Sequence, residues 1–118
     1  MKLDSTVLSQ KILEMSEGDE DFKIELTSAI HSGLLELRQQ YSLGKENADL
    51  EIIQQIRHKV KPTLAMFDFD ELSESLQEGK SILESEGFGK NFEAHFEDFR
   101  SKLDGVIEEV SVLKDTMN

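Results

Sequence analysis

The chain has no cysteine, no tryptophan and only one proline. Without cysteine, disulfides, zinc–thiolate centres and thiol catalysis are excluded. A single proline in 118 residues leaves long stretches free to form helix. Positive charge is also scarce, with 13 Lys and Arg against 25 Asp and Glu and a net charge of -12. Nucleic acid needs a basic face, so that class of partner is disfavoured, as is an anionic membrane surface. No stretch approaches the ~20 apolar residues of a membrane span. The start, Met1-Lys2-Leu3-Asp4, lacks the apolar run of a signal peptide. The expectation is a soluble, cytoplasmic protein with a single domain over residues 1–118.

Leu, Glu, Ser and Lys abound, as suits helix, and no strand alternation is visible. Five helical segments can be read. The first spans about residues 5–15, with Leu8, Ile12 and Met15 on one side. Gly18 interrupts it, and Asp19 is placed to cap a second helix. That helix carries Phe22, Leu26, Ile30, Gly33, Leu37 and Tyr41 at spacings of three and four, and residues 42–46, with Gly44, read as a loop. Asn47 reads as the cap of a third helix with the stripe Leu50, Ile53, Ile56, Val60, Leu64 and Phe67. Asp68 and Glu71 read as a capping box for a fourth, with Phe69, Leu72, Leu76 and Leu83 on one face. Gly87 and Gly89 end it. In the fifth, Phe92, Phe96, Phe99, Leu103, Val106, Val110, Leu113 and Met117 alternate steps of four and three, the pattern of a bundle seam. The expected fold is all-α, an antiparallel up-down four-helix bundle with a short additional N-terminal helix. A coiled-coil dimer through the last helix is the alternative, and a monomer the default.

At about 100° per residue, His58 falls roughly 160° from the centre of the third helix's apolar arc. It should therefore be exposed near mid-helix, sharing its side with Gln54, Gln55, Lys61, Pro62 and Ala65. Arg57, Lys59 and Lys61 put three of the 13 basic residues within five positions of an otherwise acidic chain. Histidine's reference pKa of about 6.5 leaves a neutral, nucleophilic imidazole near pH 7. A phosphorylated imidazole carries close to two negative charges, and an ammonium one turn away can bond its oxygens. Lys61 is the residue best placed for that. Spacing alone leaves an inert surface histidine as the simpler reading.

The segment Ile56-Arg57-His58-Lys59-Val60-Lys61-Pro62-Thr63-Leu64 resembles the motif of histidine-containing phosphotransfer (HPt) domains. In that family the histidine is followed by two residues, a lysine, a small residue that is usually Gly, and then Ser or Thr. His58, Lys61 and Thr63 match; Pro62 departs. The helix start at Gly18-Asp19-Glu20-Asp21-Phe22, its spacing to His58 and the later Leu72/Leu76 helix are also similar, so the likeness runs from about Gly18 to the end. Pro62 removes an N–H and clashes with the His58 carbonyl. Either the helix ends at Lys61 or it continues with a kink. The continuing apolar stripe favours the kink.

The resemblance implies a phosphorelay carrier. It would take a phosphoryl group on His58 from a receiver-domain aspartyl phosphate and pass it to another receiver. Lys61, Gln54 and Gln55 would stabilise the phosphate, with Arg57, Lys59, Pro62, Thr63 and Ala65 flanking. Partners would be receiver domains of response regulators and hybrid histidine kinases, which supply Mg²⁺; the chain itself would bind no cofactor and no metal. Gly44-Lys45 and Gly87-Phe88-Gly89-Lys90 lack phosphate-loop spacing, so no ATP site and no autonomous enzyme are expected. Docking would use the second helix, where Ser28, His31 and Leu35 project away from the apolar arc. His31 lacks a basic cluster and reads as a surface residue, and His95 as a residue at the edge of the seam. A non-catalytic helical interaction module that binds a signalling partner is the competing function.

Overall fold

The computed structural model describes residues 5–117. The start read above for its lack of an apolar run, residues 1–4, lies outside the described residues. Five helices account for nearly all of the rest, with no strand among the described residues: α1 (Ser5–Ser16), α2 (Glu20–Glu46), α3 (Leu50–Met66), α4 (Asp70–Glu86) and α5 (Lys90–Thr116). No helix among the described residues is long and apolar enough to cross a membrane.

α2 packs against α3 and α5, and α4 packs against the same two helices; α1 lies against α2 and α5. Among the described residues the backbones of α2 and α4 do not pack together, nor do those of α3 and α5. The body is elongated, 47 × 25 × 20 Å. Its length follows from α2 and α5, each 27 residues, or about 40 Å at 1.5 Å per residue. The interior is the sum of the helical stripes. Ile30, Leu34, Leu37 and Tyr41 meet Ile53, Ile56, Val60 and Leu64, and both meet Leu72, Leu76 and the Phe92/Phe96/Phe99/Leu103 row.

Four connections of three residues each join the helices. Three share one solution. After α2, the Asp49 N–H donates to the Gly44 carbonyl (2.9 Å) and the Ala48 N–H to that of Lys45 (3.2 Å). After α3, Phe69 donates to Leu64 (2.9 Å) and Asp68 to Ala65 (3.4 Å); after α1, Gly18 donates to Leu13 (3.3 Å) and Glu17 to Glu14 (3.2 Å). This is the Schellman closure, which satisfies the last carbonyls through a residue in the left-handed region. Glu17, Ala48 and Asp68 occupy that seat, with φ of 53°, 49° and 57°.

That geometry corrects several boundaries. Residues 42–46 are helix, not loop. Gly44 is buried because α3 crosses there, and a Cβ on it would lie 2.6 Å from Ile53 Cδ1. Asn47 closes α2, while Asp49 caps α3 by accepting from the Ile52 N–H at 3.2 Å. Asp68 caps nothing and there is no capping box. It holds the left-handed seat, its carboxylate pairs with Lys11 at 2.8 Å, and Phe69 stands at the α4 N-cap. Asp19 does cap α2, through the Phe22 N–H at 3.0 Å.

Three stripe residues also shift. Phe22, Met15 and Leu50 are exposed, while Ser16 and Thr27 are buried in line with their helices' inner faces. A 3.6-residue period carries the α2 stripe from Ile30 back through Thr27 to Lys23, one position past Phe22. On α5 the core runs through Ile107, with Val106 half-buried beside it. α3 continues through Pro62 to Met66, as the stripe indicated, instead of ending at Lys61.

Two substitutions test these contacts by urea denaturation. Gly44→Ala should cost about 1–3 kcal/mol through overpacking against Ile53. Its loss in an Ile53→Ala background should be smaller, because the two changes share one contact. Ala48→Gly should instead stabilise by roughly 0.5–1 kcal/mol, since an exposed alanine there bears the left-handed penalty.

Candidate functional site

α3 and α4 diverge around a groove of about 880 Å³. Its α3 wall is Gln54, Gln55, Arg57, His58, Lys59, Lys61, Leu64 and Ala65; its α4 wall is Asp70, Ser73, Leu76, Gln77 and Lys80. Leu64 and Leu76 are buried and form an apolar floor. Above them stand four cations and one carboxylate, in a chain of net charge -12. The sign of the surface is locally reversed.

The His58 ring is exposed, and among the described residues no hydrogen bond or ion pair occupies it. The mid-helix position and the opposing apolar arc Ile53, Ile56, Val60 and Leu64 dictate that exposure. Pro62 has no N–H to return to the His58 carbonyl, so this turn lacks one helical bond. The neighbouring cations divide into two kinds. Lys59 is held by both carboxylate oxygens of Glu36 on α2, at 2.9 and 3.0 Å. Among the described residues, Arg57, Lys61 and Lys80 have no carboxylate within the 4.0 Å of an ion pair. Those three are available to an incoming anion.

Of the residues singled out from sequence, Gln54, Gln55, Arg57, His58, Lys59, Lys61 and Ala65 do line this groove. Gln55 is drawn back toward Glu51, donating to it at 3.3 Å. Pro62 is exposed and Thr63 half-buried, and neither lines the groove. Ser28 and His31 are half-buried on α2. Leu35, expected to be exposed, is half-buried and packs on the core. None of these three reaches the groove. The α4 wall was not foreseen. Its sequence signal is that Lys80 is the one basic residue in α4, set among Asp70, Glu71, Glu74, Glu78, Glu84 and Glu86. Among the described residues no group of three or more His, Asp or Glu is placed to hold a metal ion.

A second polar feature lies in the core. His95, expected at the seam's edge, is only 4% exposed. Its Nε2 and the Tyr41 hydroxyl share a 2.8 Å hydrogen bond. Phe92, Phe96 and Phe99 surround the pair, with Phe99 stacked on the imidazole. Gly79 of α4 sits directly over both, and any Cβ there would collide with the His95 ring and the Tyr41 hydroxyl. Burial lowers the His95 pKa, against smaller raising effects of Glu78 and Asp98 and a further lowering from Lys102. Burial pushes the Tyr41 phenol up, partly countered by Arg57. Both groups are therefore neutral near pH 7, and their bond is a structural one. The signal for it was in the sequence, since His95 lies three residues after Phe92 and four before Phe99.

Comparison with known proteins finds no matching family model, no matching curated protein and no matching solved structure.

The buried pair makes a pH-dependent prediction. A depressed native pKa means that the unfolded chain binds the proton first as pH falls below the reference value of about 6.5. The stabilising contribution of neutral His95 is thus whole above that pH and is lost as pH falls through the native pKa. Urea midpoints measured between about pH 7.5 and about pH 5 should fall more steeply for wild type than for His95→Gln. The variant itself should be less stable at pH 7.5 by about 1–3 kcal/mol, from the disturbed partner of Tyr41.

Proposed function

We propose that the chain is a phosphorelay carrier of the HPt kind. In this reading α2 to α5 form an antiparallel up-down four-helix bundle, with α1 as a short extra helix against α2 and α5. Three-residue connections and contacts between sequence neighbours support that topology. His58 is the phosphoryl acceptor. The observation that carries the reading is an exposed, unbonded imidazole in a cation-walled groove of an acidic protein. The likeness through His58, Lys61 and Thr63 adds to it.

The chemistry asks little of the carrier. A ring nitrogen of His58 gives its lone pair to phosphorus while the acyl-phosphate P–O bond breaks. That bonding pair leaves with the donor aspartate as a carboxylate. The proton on the other ring nitrogen stays on the ring or passes to water. Transfer onward reverses these steps onto a second receiver's aspartate. Charge on the transferring group is met by Lys61, with Gln54 and Gln55 as neutral donors and Arg57 nearby. Mg²⁺ belongs to the partner receiver, whose metal site is where the aspartate reacts. The groove's local positive charge is complementary to such an acidic site. The protein acts as a monomer in the cytoplasm, with receiver domains of response regulators and hybrid kinases as its partners.

The test is acceptance of label from a phosphorylated receiver, read as acid-labile, base-stable phosphate. Wild type should take up label and His58→Gln should fall to background. Equal labelling of the variant would sink the carrier reading. Unlabelled wild type that still binds the receiver would favour the non-catalytic interaction module instead.

A further inference from the structure

We propose that the α3–α4 groove is also a binding site for a small soluble phosphate monoester with a short apolar body, and that this ligand regulates His58 by exclusion. The binding does not depend on the phosphocarrier reading; the regulation rests on it.

Small-molecule pockets run from roughly 300 to 1,000 Å³, and this groove holds about 880 Å³. A phosphoryl group on an exposed imidazole fills only a small part of that. The order of the lining along the groove decides what suits the remainder. α3 ends at Met66 and α4 begins at Asp70. Lys61 stands five residues back from Met66 and Arg57 nine, while Lys80 stands ten forward from Asp70. All three cations left without a carboxylate partner among the described residues therefore lie in the half away from the turn. Leu64, Ala65 and Ser73 line the half beside the turn, with Leu76 at the boundary, and none of them carries charge. Asp70 closes that end.

The uncharged half extends about 8 Å along α3, from Lys61 to Met66 at 1.5 Å per residue. Side chains lean toward a helix's N-terminus, so the Lys61 ammonium belongs to the cationic half. Leu64 and Leu76 are buried at the bottom, beneath a rim of small side chains, Ala65 on one wall and Ser73 on the other. An inorganic anion uses the cations and leaves water over this floor. An anion with an apolar body displaces that water, and each methylene it buries tightens binding about fourfold. Three cations together favour a dianionic phosphate head. Asp70 repels a second anionic group at the far end, which selects a single head. With that head in the cationic half, the ligand covers the His58 ring, and a receiver aspartate meets a filled site.

The test titrates the full chain with octyl phosphate, below micelle-forming concentration, and with methyl phosphate, followed by amide resonances in ¹H–¹⁵N NMR spectra. Octyl phosphate should bind about 10- to 100-fold more tightly than methyl phosphate, as two or three buried methylenes require. Both esters should shift Arg57 and Lys61, and octyl phosphate should also shift Ala65 and Ser73. Ala65→Gln and Ser73→Gln, one on each wall, add uncharged bulk over the floor. Each should bring the ratio of the two affinities toward one. Equal affinity of wild type for the two esters, or shifts confined to residues outside the groove, overturns the site. In the receiver assay, octyl phosphate should slow label uptake in proportion to occupancy of the groove. Unchanged uptake at full occupancy overturns the regulation. Wild type that takes no label without the ester overturns the carrier reading, and the binding result stands apart from it.

Discussion

The hydrogen bond between Tyr41 and His95 sets more of this structure than any other single contact. It joins α2 to α5 in the middle of an aromatic cage, where each polar group is the other's partner. Leaving either one unpaired in that cage would cost on the order of 1–3 kcal/mol. Gly79 then allows α4 to settle onto the pair at a distance no side chain permits. The position of α4 is fixed from beneath, and with it the outward wall that carries Gln77 and Lys80. α3 is placed independently, by Gly44 against Ile53. The groove between α3 and α4 is the space left over by two close contacts that both depend on the absence of a Cβ.

Charge is distributed with equal economy. Among the described residues the one carboxylate in the groove wall is Asp70, at the first turn of α4. Lys59, the cation that points back toward α2, is neutralised there by Glu36. Of the four basic residues in the groove wall, Arg57, Lys61 and Lys80 are left without a carboxylate partner among the described residues. An exposed ion pair such as Lys59–Glu36 contributes little to stability. Its effect is to confine the unpaired positive charge to one side of α3.

Periodicity made the inner faces of α3, α4 and α5 readable, and with them the exposure of His58. It could do so because a 3.6-residue repeat is a property of each helix alone. The connections were less legible. Their left-handed seats are held by Glu17, Ala48 and Asp68, residues that do not announce a positive φ, while Gly44 and Gly79 lie inside helices as contact points instead of breaks. The α3 wall of the groove was legible because its residues share one helix with His58. The α4 wall was not, because its relation to His58 depends on how two helices meet, and that is set by Gly79 and the buried pair beneath it. His95 was misjudged for a related reason: a polar residue on an apolar face reads as a boundary until its partner, 54 positions away, is known.

Tyr41 is the only tyrosine, and the chain has no tryptophan. All of the molecule's absorbance and emission beyond phenylalanine thus originates in one phenol, bonded to His95 and enclosed by three phenylalanines. The protein carries its own optical probe, seated at the junction of α2, α4 and α5. Its ultraviolet spectrum is a local measurement of that junction, made without a label.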